Sequence, residues 1–425
     1  MREKILDITW MLYGHGGKLV FQTGYFLLLA FLLGPREYGV YVTIAALIVI
    51  LGPFCGVGFN SLITKVISTD NHRFPCVFGN AIKVTIYSYF FLLVIGTMII
   101  FIVYKNPFYA IKLFLILSFA DLLLLKFSEM SAQIFIARGK VKASAHIQNF
   151  ISVVRFLSVL IYYFLFTEEY ISKSVINWAI IYFVSSLLFT ILVFTNTLLK
   201  NEKPKLKEKI TIGGIREGVY FSIGLSSQGV YNDVDKTVMG RYSNSEMTGY
   251  YGFAYKMLDV LFIPIKAILA LTFPKFFKIG SLEGIQGTNK FSKKLLGPLM
   301  IYNTLSCLIA FIFVPIILKN LLNGRYEDSI NLFLWLIPIV FLRNIHYVYA
   351  DALTGAGFQK ERSYIQIFVA VLNLILNIYF IRKYDVYGAI TVSILSDAIM
   401  VILIFALVRY KLVNKTNVTP ERINL

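Results

Sequence analysis

Runs of about 20 apolar residues recur from one end of the sequence to the other, each long enough to cross a hydrocarbon core of about 30 Å. No other feature restricts the fold as much. A backbone in lipid must satisfy its own hydrogen bonds, so such runs fold as helices; they are too long and too continuously apolar for barrel strands. The composition agrees, with 57% hydrophobic and 15% charged residues, whereas a soluble domain carries about 25% charged residues. The expectation is an all-α integral membrane protein of twelve transmembrane helices, at about 10–33, 39–64, 79–104, 109–136, 143–166, 174–199, 216–240, 248–273, 295–318, 331–354, 363–382 and 388–410.

An even number of passes puts both termini on one side. With the termini inside, the inner segments hold about three times as many Lys and Arg as the outer ones, as the positive-inside rule requires. The formal net charge of +18 is then a matter of topology and faces anionic lipid. There is no soluble basic domain, so nucleic acid is not an expected partner. Met1–Asp7 is short and mixed in charge, and no cleavable signal peptide is expected. The three cysteines, Cys55, Cys76 and Cys307, lack metal-ligand spacing.

The polar stretch after Lys200, with Pro204 and the pair Gly213-Gly214, divides the chain. It gives an N-lobe of residues 1–200 with helices one to six, a basic cytoplasmic linker 201–213, and a C-lobe of residues 214–425 with helices seven to twelve and a cytoplasmic tail. The lobes resemble each other. At one constant offset, Gly139, Lys142, Ile147, Gln148, Phe150 and Val153 align with Gly357, Lys360, Ile365, Gln366, Phe368 and Val371. Six helices per copy make this a parallel repeat, two pseudo-symmetric lobes that rock about a shared site. Pro53 and Pro264 interrupt the second and eighth spans at near-equivalent places, and Pro bends a helix by removing a backbone donor.

Charged residues inside spans are costly, and are functional by default. Lys83, Lys112 and Lys266 sit where they can snorkel to the interface. Lys18, Lys126, Arg155, Lys236 and Lys256 are harder to excuse, and Asp233, Asp235, Asp259 and Glu129 are the acids beside them. Lys256 with Asp259, and Lys126 with Glu129, are three apart and share a helix face. Structural locking and ligand handling are both open for these pairs. Asp235 and Lys236 are adjacent, so each is expected to face something different. His15 follows a glycine and precedes Gly16-Gly17, near Lys18; a satisfied polar contact is the plainer role. Asn373 and Asn377 share one face of the eleventh span and are expected to hydrogen-bond across helices. No nucleophile with its base, no metal cluster and no large outer loop points to an enzyme.

Leu33-Gly34-Pro35-Arg36-Glu37-Tyr38-Gly39-Val40-Tyr41 resembles the first outer turn of the bacterial polysaccharide flippases, the O-antigen (Wzx-type) translocases of the multidrug/oligosaccharidyl-lipid/polysaccharide (MOP) exporter superfamily. Asp235-Lys236 through Gly240, Gly249-Tyr250-Tyr251 and Ala254-Tyr255-Lys256 resemble helices seven and eight of that family. Gly355-Ala356-Gly357, Asn373, Asn377 and Tyr387-Gly388-Ala389 resemble helices eleven and twelve. The resemblance implies a two-lobed transporter with a fold like that of the multidrug (MATE) carriers. It implies that an undecaprenyl-pyrophosphate-linked oligosaccharide crosses the bacterial inner membrane through a cationic cavity. Substrate contacts then fall to Lys18, Lys236, Lys256 and Arg155, and charge pairing or coupling to Asp235, Asp259, Asp233, Lys126 and Glu129. No cofactor is expected; H+ or Na+ is the candidate coupling ion. The other partners implied are membrane lipids, a polysaccharide polymerase and a chain-length regulator. Two alternatives stand: a multidrug cation antiporter of the same fold, and a membrane polysaccharide polymerase or ligase.

Overall fold

The computed structural model describes residues 2–69, 71–104, 107–166, 174–207, 212–322 and 324–414; side chains at 2–19, 61, 65, 68, 69, 71, 212–218, 220, 221, 223–225, 317 and 321 lie outside that description. The described residues contain helices and turns and no strand. In chain order the helices are α1 (Arg2–Leu51), α2 (Phe59–Thr69), α3 (Phe74–Val103), α4 (Pro107–Ser118), α5 (Leu125–Ala137), α6 (Val141–Leu165), α7 (Val175–Lys200), α8 (Ile212–Tyr242), α9 (Ser245–Leu261), α10 (Ile263–Leu321), α11 (Asp328–Gly355) and α12 (Gln359–Val413).

Three of these helices are hairpins. In α1 the chain reverses at Gly34, with φ 70°, a left-handed conformation that glycine adopts without steric cost. The hydroxyls of Tyr25 and Tyr41 meet at 2.6 Å; on a straight helix those residues would be about 24 Å apart. In α10 the break is at Gly284 (φ 60°), and the rings of Phe276 and Phe291 come together at 4.9 Å. In α12 it is at Asp385 (φ 52°). There Asn373 Nδ2 donates to Ser396 Oγ across the two arms at 3.0 Å.

Two passes are broken at proline, as the sequence predicts. The second arm of α1 continues into α2 through a 3-10 turn, Gly52–Phe54, that contains Pro53. Helix α9 continues into the first arm of α10 at Phe262, with Pro264 in the first turn. One further pass runs from α4 to α5 through a π-helical turn, Phe119–Leu124. Eight stretches are long and apolar enough to cross a membrane by length and composition. Three of them are the hairpins, and α8 completes twelve passes among the described residues.

The chain forms two compact units, Met1–Gly229 and Val230–Leu425, with the division inside α8. Each unit contains the same turn. After α5, the amides of Arg138, Gly139 and Lys140 donate to the carbonyls of Ile134, Ile136 and Phe135; after α11, those of Ala356, Gly357 and Phe358 donate to Ala352, Thr354 and Leu353. The glycines stand at φ 73° and 87°. The match of Gly139 with Gly357 is therefore one of backbone requirement, a glycine-capped helix end used twice.

Apolar side chains do not mark the interior. Tyr87, Phe91, Val94, Met98 and Phe101 on α3, and Val184, Leu188, Leu192 and Leu199 on α7, are all exposed. On a membrane pass such positions meet lipid tails, which are as apolar as a core. Buried polar groups mark the inside instead.

Candidate functional site

In the first unit the π-helical turn carries Asp121. A π turn widens the helix locally and often lies at a functional site. Here it delivers the carboxylate to Arg155 on α6. Arg155 Nη2 donates to Asp121 Oδ1 at 2.6 Å, and its Nε donates to the Tyr182 hydroxyl at 2.9 Å. Tyr182 in turn donates to the same Asp121 oxygen at 2.5 Å. Trp178 stacks on Tyr182, with centroids 5.5 Å apart and planes at 5°, and its indole N–H donates to Ser158 at 3.2 Å. These contacts hold two of the guanidinium nitrogens; Nη1 makes no hydrogen bond among the described residues.

Beside Arg155 lies a cavity of about 350 Å³. Four amides line it: Gln22 from α1, Asn60 from α2, Gln133 from α5 and Gln148 from α6. Ser152, Glu129 and Arg155 complete its polar wall. Gln148, Ser152 and Arg155 recur at helical spacing, so one face of α6 is committed to the cavity. Glu129 holds Lys126 at 2.9 Å, with side chains 41% and 21% exposed. This is the spacing pair that the sequence predicts.

The second unit buries its charges more completely. Lys236 Nζ lies 2.9 Å from Asp233 and 3.5 Å from Asp235. It also donates to the Asn232 carbonyl at 2.8 Å and sits 4.2 Å from the centroid of the Tyr255 ring. Asp235 accepts from Tyr251 at 2.5 Å and from Ser393 at 3.4 Å. A neighbouring centre is built on Asp397. It receives Arg343 Nε at 3.3 Å, His346 Nε2 at 3.1 Å and the Tyr231 hydroxyl. Asp397 is 1% exposed on its side chain and Arg343 6%. On α9 and α10, Asp259 stands between Lys256 at 3.7 Å and Lys266 at 3.9 Å, all three well exposed.

The predicted site residues thus fall into three settings. Arg155 and Glu129 line the polar cavity of the first unit, and Lys126 pairs with Glu129 at its edge. Asp235 and Lys236 are buried in the second, with the partly exposed Asp233 beside them; Lys236 curls back to Asp233 while Asp235 turns to Tyr251 and Ser393. Lys256 and Asp259 pair on an accessible face of the second unit. The side chains of Lys18 and His15 lie outside the described residues. Asn377 donates to Asn373 on its own helix at 2.9 Å, and only Asn373 reaches across to Ser396. Spacing pairs none of Asp121, Asp397, Arg343 and His346, because each finds its partner on another helix. Among the described residues, no group of three or more His, Cys, Asp or Glu is placed to hold a metal ion.

Twelve helical passes with ion pairs buried inside them define an integral membrane protein with the fold of a MOP-superfamily transporter. The pattern of the family described as "Polysaccharide biosynthesis protein" matches residues 6–280, and the chain belongs to that family. Solved structures share the fold. The inward-facing conformation of a multidrug resistance MATE family transporter of the MOP superfamily superposes with TM-score 0.74 at 14% identity, covering 93% of this chain and 96% of that one. The outward-facing conformation of a MATE family transporter of the same superfamily gives 0.62 at 15% identity, covering 96% of each. The MATE multidrug transporter DinF-BH gives 0.63 at 14%, covering 96% of this chain and 95% of that one. At such identities the likeness is one of fold. A curated relative, the uncharacterized membrane protein MJ1375 of Methanocaldococcus jannaschii, is 24% identical over 218 residues; the match spans 50% of each chain.

Proposed function

We propose that this protein flips a lipid-linked oligosaccharide, a surface-polysaccharide repeat unit of the O-antigen kind on undecaprenyl pyrophosphate, across the bacterial inner membrane, with both termini cytoplasmic. The observation that carries the reading is the amide-lined cavity of the first unit. A sugar presents hydroxyls that both donate and accept, and Gln and Asn side chains do the same. Four of them around one cavity supply hydrogen bonds that a lipid tail or an aromatic drug does not use. Arg155 Nη1, which makes no hydrogen bond among the described residues, adds a donor for an acidic group. Lys256 and Lys266 share a single carboxylate, so that accessible face carries surplus positive charge suited to a diphosphate. Lys18 completes the set of proposed contacts.

The Asp233–Lys236–Asp235 triad suits coupling better than substrate binding, because its ammonium is already surrounded. H+ or Na+ arriving at Asp235 would compete with Lys236 and loosen it, giving the ion a route to bias rocking. The activity is translocation without chemical change to the cargo.

The test is complementation of a deletion strain with Arg155→Ala and with Lys256→Ala. Each should accumulate lipid-linked repeat units in the inner leaflet and lose surface polysaccharide at least tenfold, at unchanged protein level. Normal polysaccharide in both variants sinks the reading. The half-exposed Glu129 and the likeness in fold to multidrug carriers favour a second reading, export of organic cations. That reading requires energised vesicles to expel a cationic dye and Glu129→Gln to abolish the expulsion.

A further inference from the structure

A second cavity of the first unit, of about 490 Å³, lies between α6 and α7. Its wall is apolar, built from Phe135, Ile147, Phe150, Phe189, Leu192 and Val193, and Lys140, His146 and Lys200 also line it. The two chemistries are separated along the helices. Lys140 is the residue just before α6 and Lys200 is the last of α7, so the neighbouring, oppositely running helices bring both ammonium groups to one end. Phe150 and Phe189 lie about 15 Å deeper by helical rise, with rings 6.5 Å apart and stacked at 26°.

This cavity is on the lipid side of the lobe. Phe150 is 52% and Leu192 68% exposed, whereas the sugar-type cavity uses the opposite face of α6. Lys140 and Lys200 are exposed, and neither forms an ion pair among the described residues. Among the described residues, no carboxylate lines the cavity. It therefore offers two exposed cations, without an ion-pair partner among the described residues, at the basic end of the helices and a hydrocarbon slot leading away from them, parallel to the passes.

We propose that this cavity binds an anionic glycerophospholipid of the adjoining leaflet. Its phosphate sits between Lys140 and Lys200, and one acyl chain runs along Phe150 and Phe189. A zwitterionic headgroup brings its own ammonium to the two lysines and loses most of the attraction. The inference is independent of the cargo and stands whether or not an oligosaccharide is moved.

The experiment is native mass spectrometry of the full-length protein in detergent, titrated with dioleoyl phosphatidylglycerol or dioleoyl phosphatidylcholine. The first phosphatidylglycerol should bind at least tenfold more tightly than phosphatidylcholine. Lys140→Ala with Lys200→Ala should remove that preference, each lysine contributing about fivefold. The exposed pair Lys293→Ala with Lys294→Ala, in the other unit, should leave it intact. Phe150→Ser should weaken both lipids alike. Equal affinity for the two lipids in the unaltered protein overturns the proposal. So does an equal loss in the Lys293/Lys294 control, which would mean that net charge alone sets the preference. Unchanged binding by Phe150→Ser removes the acyl chain from the slot.

Discussion

In the first unit Arg155 meets one carboxylate, Asp121, and lines a cavity of about 350 Å³. In the second, Arg343 and His346 converge on Asp397, and Lys236 is held between Asp233 and Asp235. The ion pairs differ in burial as well: 24% and 18% exposed for Arg155 and Asp121, against 6% and 1% for Arg343 and Asp397. A deeply buried network fixes geometry, since the low local dielectric makes each lost partner expensive. A partly exposed one beside a cavity keeps access for a ligand. The same residue types thus form a buried lock in one unit and, under the proposed function, part of a reception site in the other.

The largest expected effect separates the two directly. Asp397→Asn leaves Arg343 buried without a counter-charge, a change that costs about 3–5 kcal/mol. Asp121→Asn strands an arginine that still reaches the polar cavity, and its cost should be clearly smaller. Thermal unfolding of the two variants in the same detergent compares them. Equal losses would erase the distinction between lock and reception site.

A double-mutant cycle on Lys236→Met and Asp233→Asn sharpens the comparison at the next scale. The two groups touch at 2.9 Å with the lysine side chain 7% exposed, so a coupling of about 1–3 kcal/mol is expected. Additive effects would mean that Lys236 is held chiefly by Asp235 and the ring of Tyr255. If the triad couples an ion to transport, Lys236→Met should also change the dependence of transport on pH or sodium, a response that a purely structural lysine would not show.

How much of this was legible in the sequence follows from the range of each interaction. Twelve passes were readable because helix length and bilayer thickness are local matters. The breaks at Pro53 and Pro264 and the duplicated Gly139 and Gly357 were readable because backbone constraints act on single residues. The pairs Lys126–Glu129 and Lys256–Asp259 were readable because three-residue spacing fixes a shared face. Asp121 with Arg155, and Asp397 with Arg343 and His346, were not, since each joins helices far apart in the chain. The π turn that re-aims Asp121 had no evident sequence signal. Hydrophobicity gave no help with the interior, because lipid-facing and buried positions use the same residues, as α3 and α7 show.

The smallest expected effect bounds the argument from below. Lys126 and Glu129 form a short contact of 2.9 Å, yet both are partly exposed, and such a pair three residues apart stabilises a helix by about 0.2–0.5 kcal/mol. Lys126→Met should therefore leave the unfolding temperature almost unchanged. Its consequence lies in charge: Glu129 then stands alone beside the amides and Arg155. If the cavity receives a neutral or acidic sugar, an unpaired carboxylate there should weaken transport of an acidic repeat unit more than that of a neutral one. If it receives an organic cation, the same substitution should improve transport. One side chain that barely contributes to folding thus separates the two cargoes by the sign of its effect.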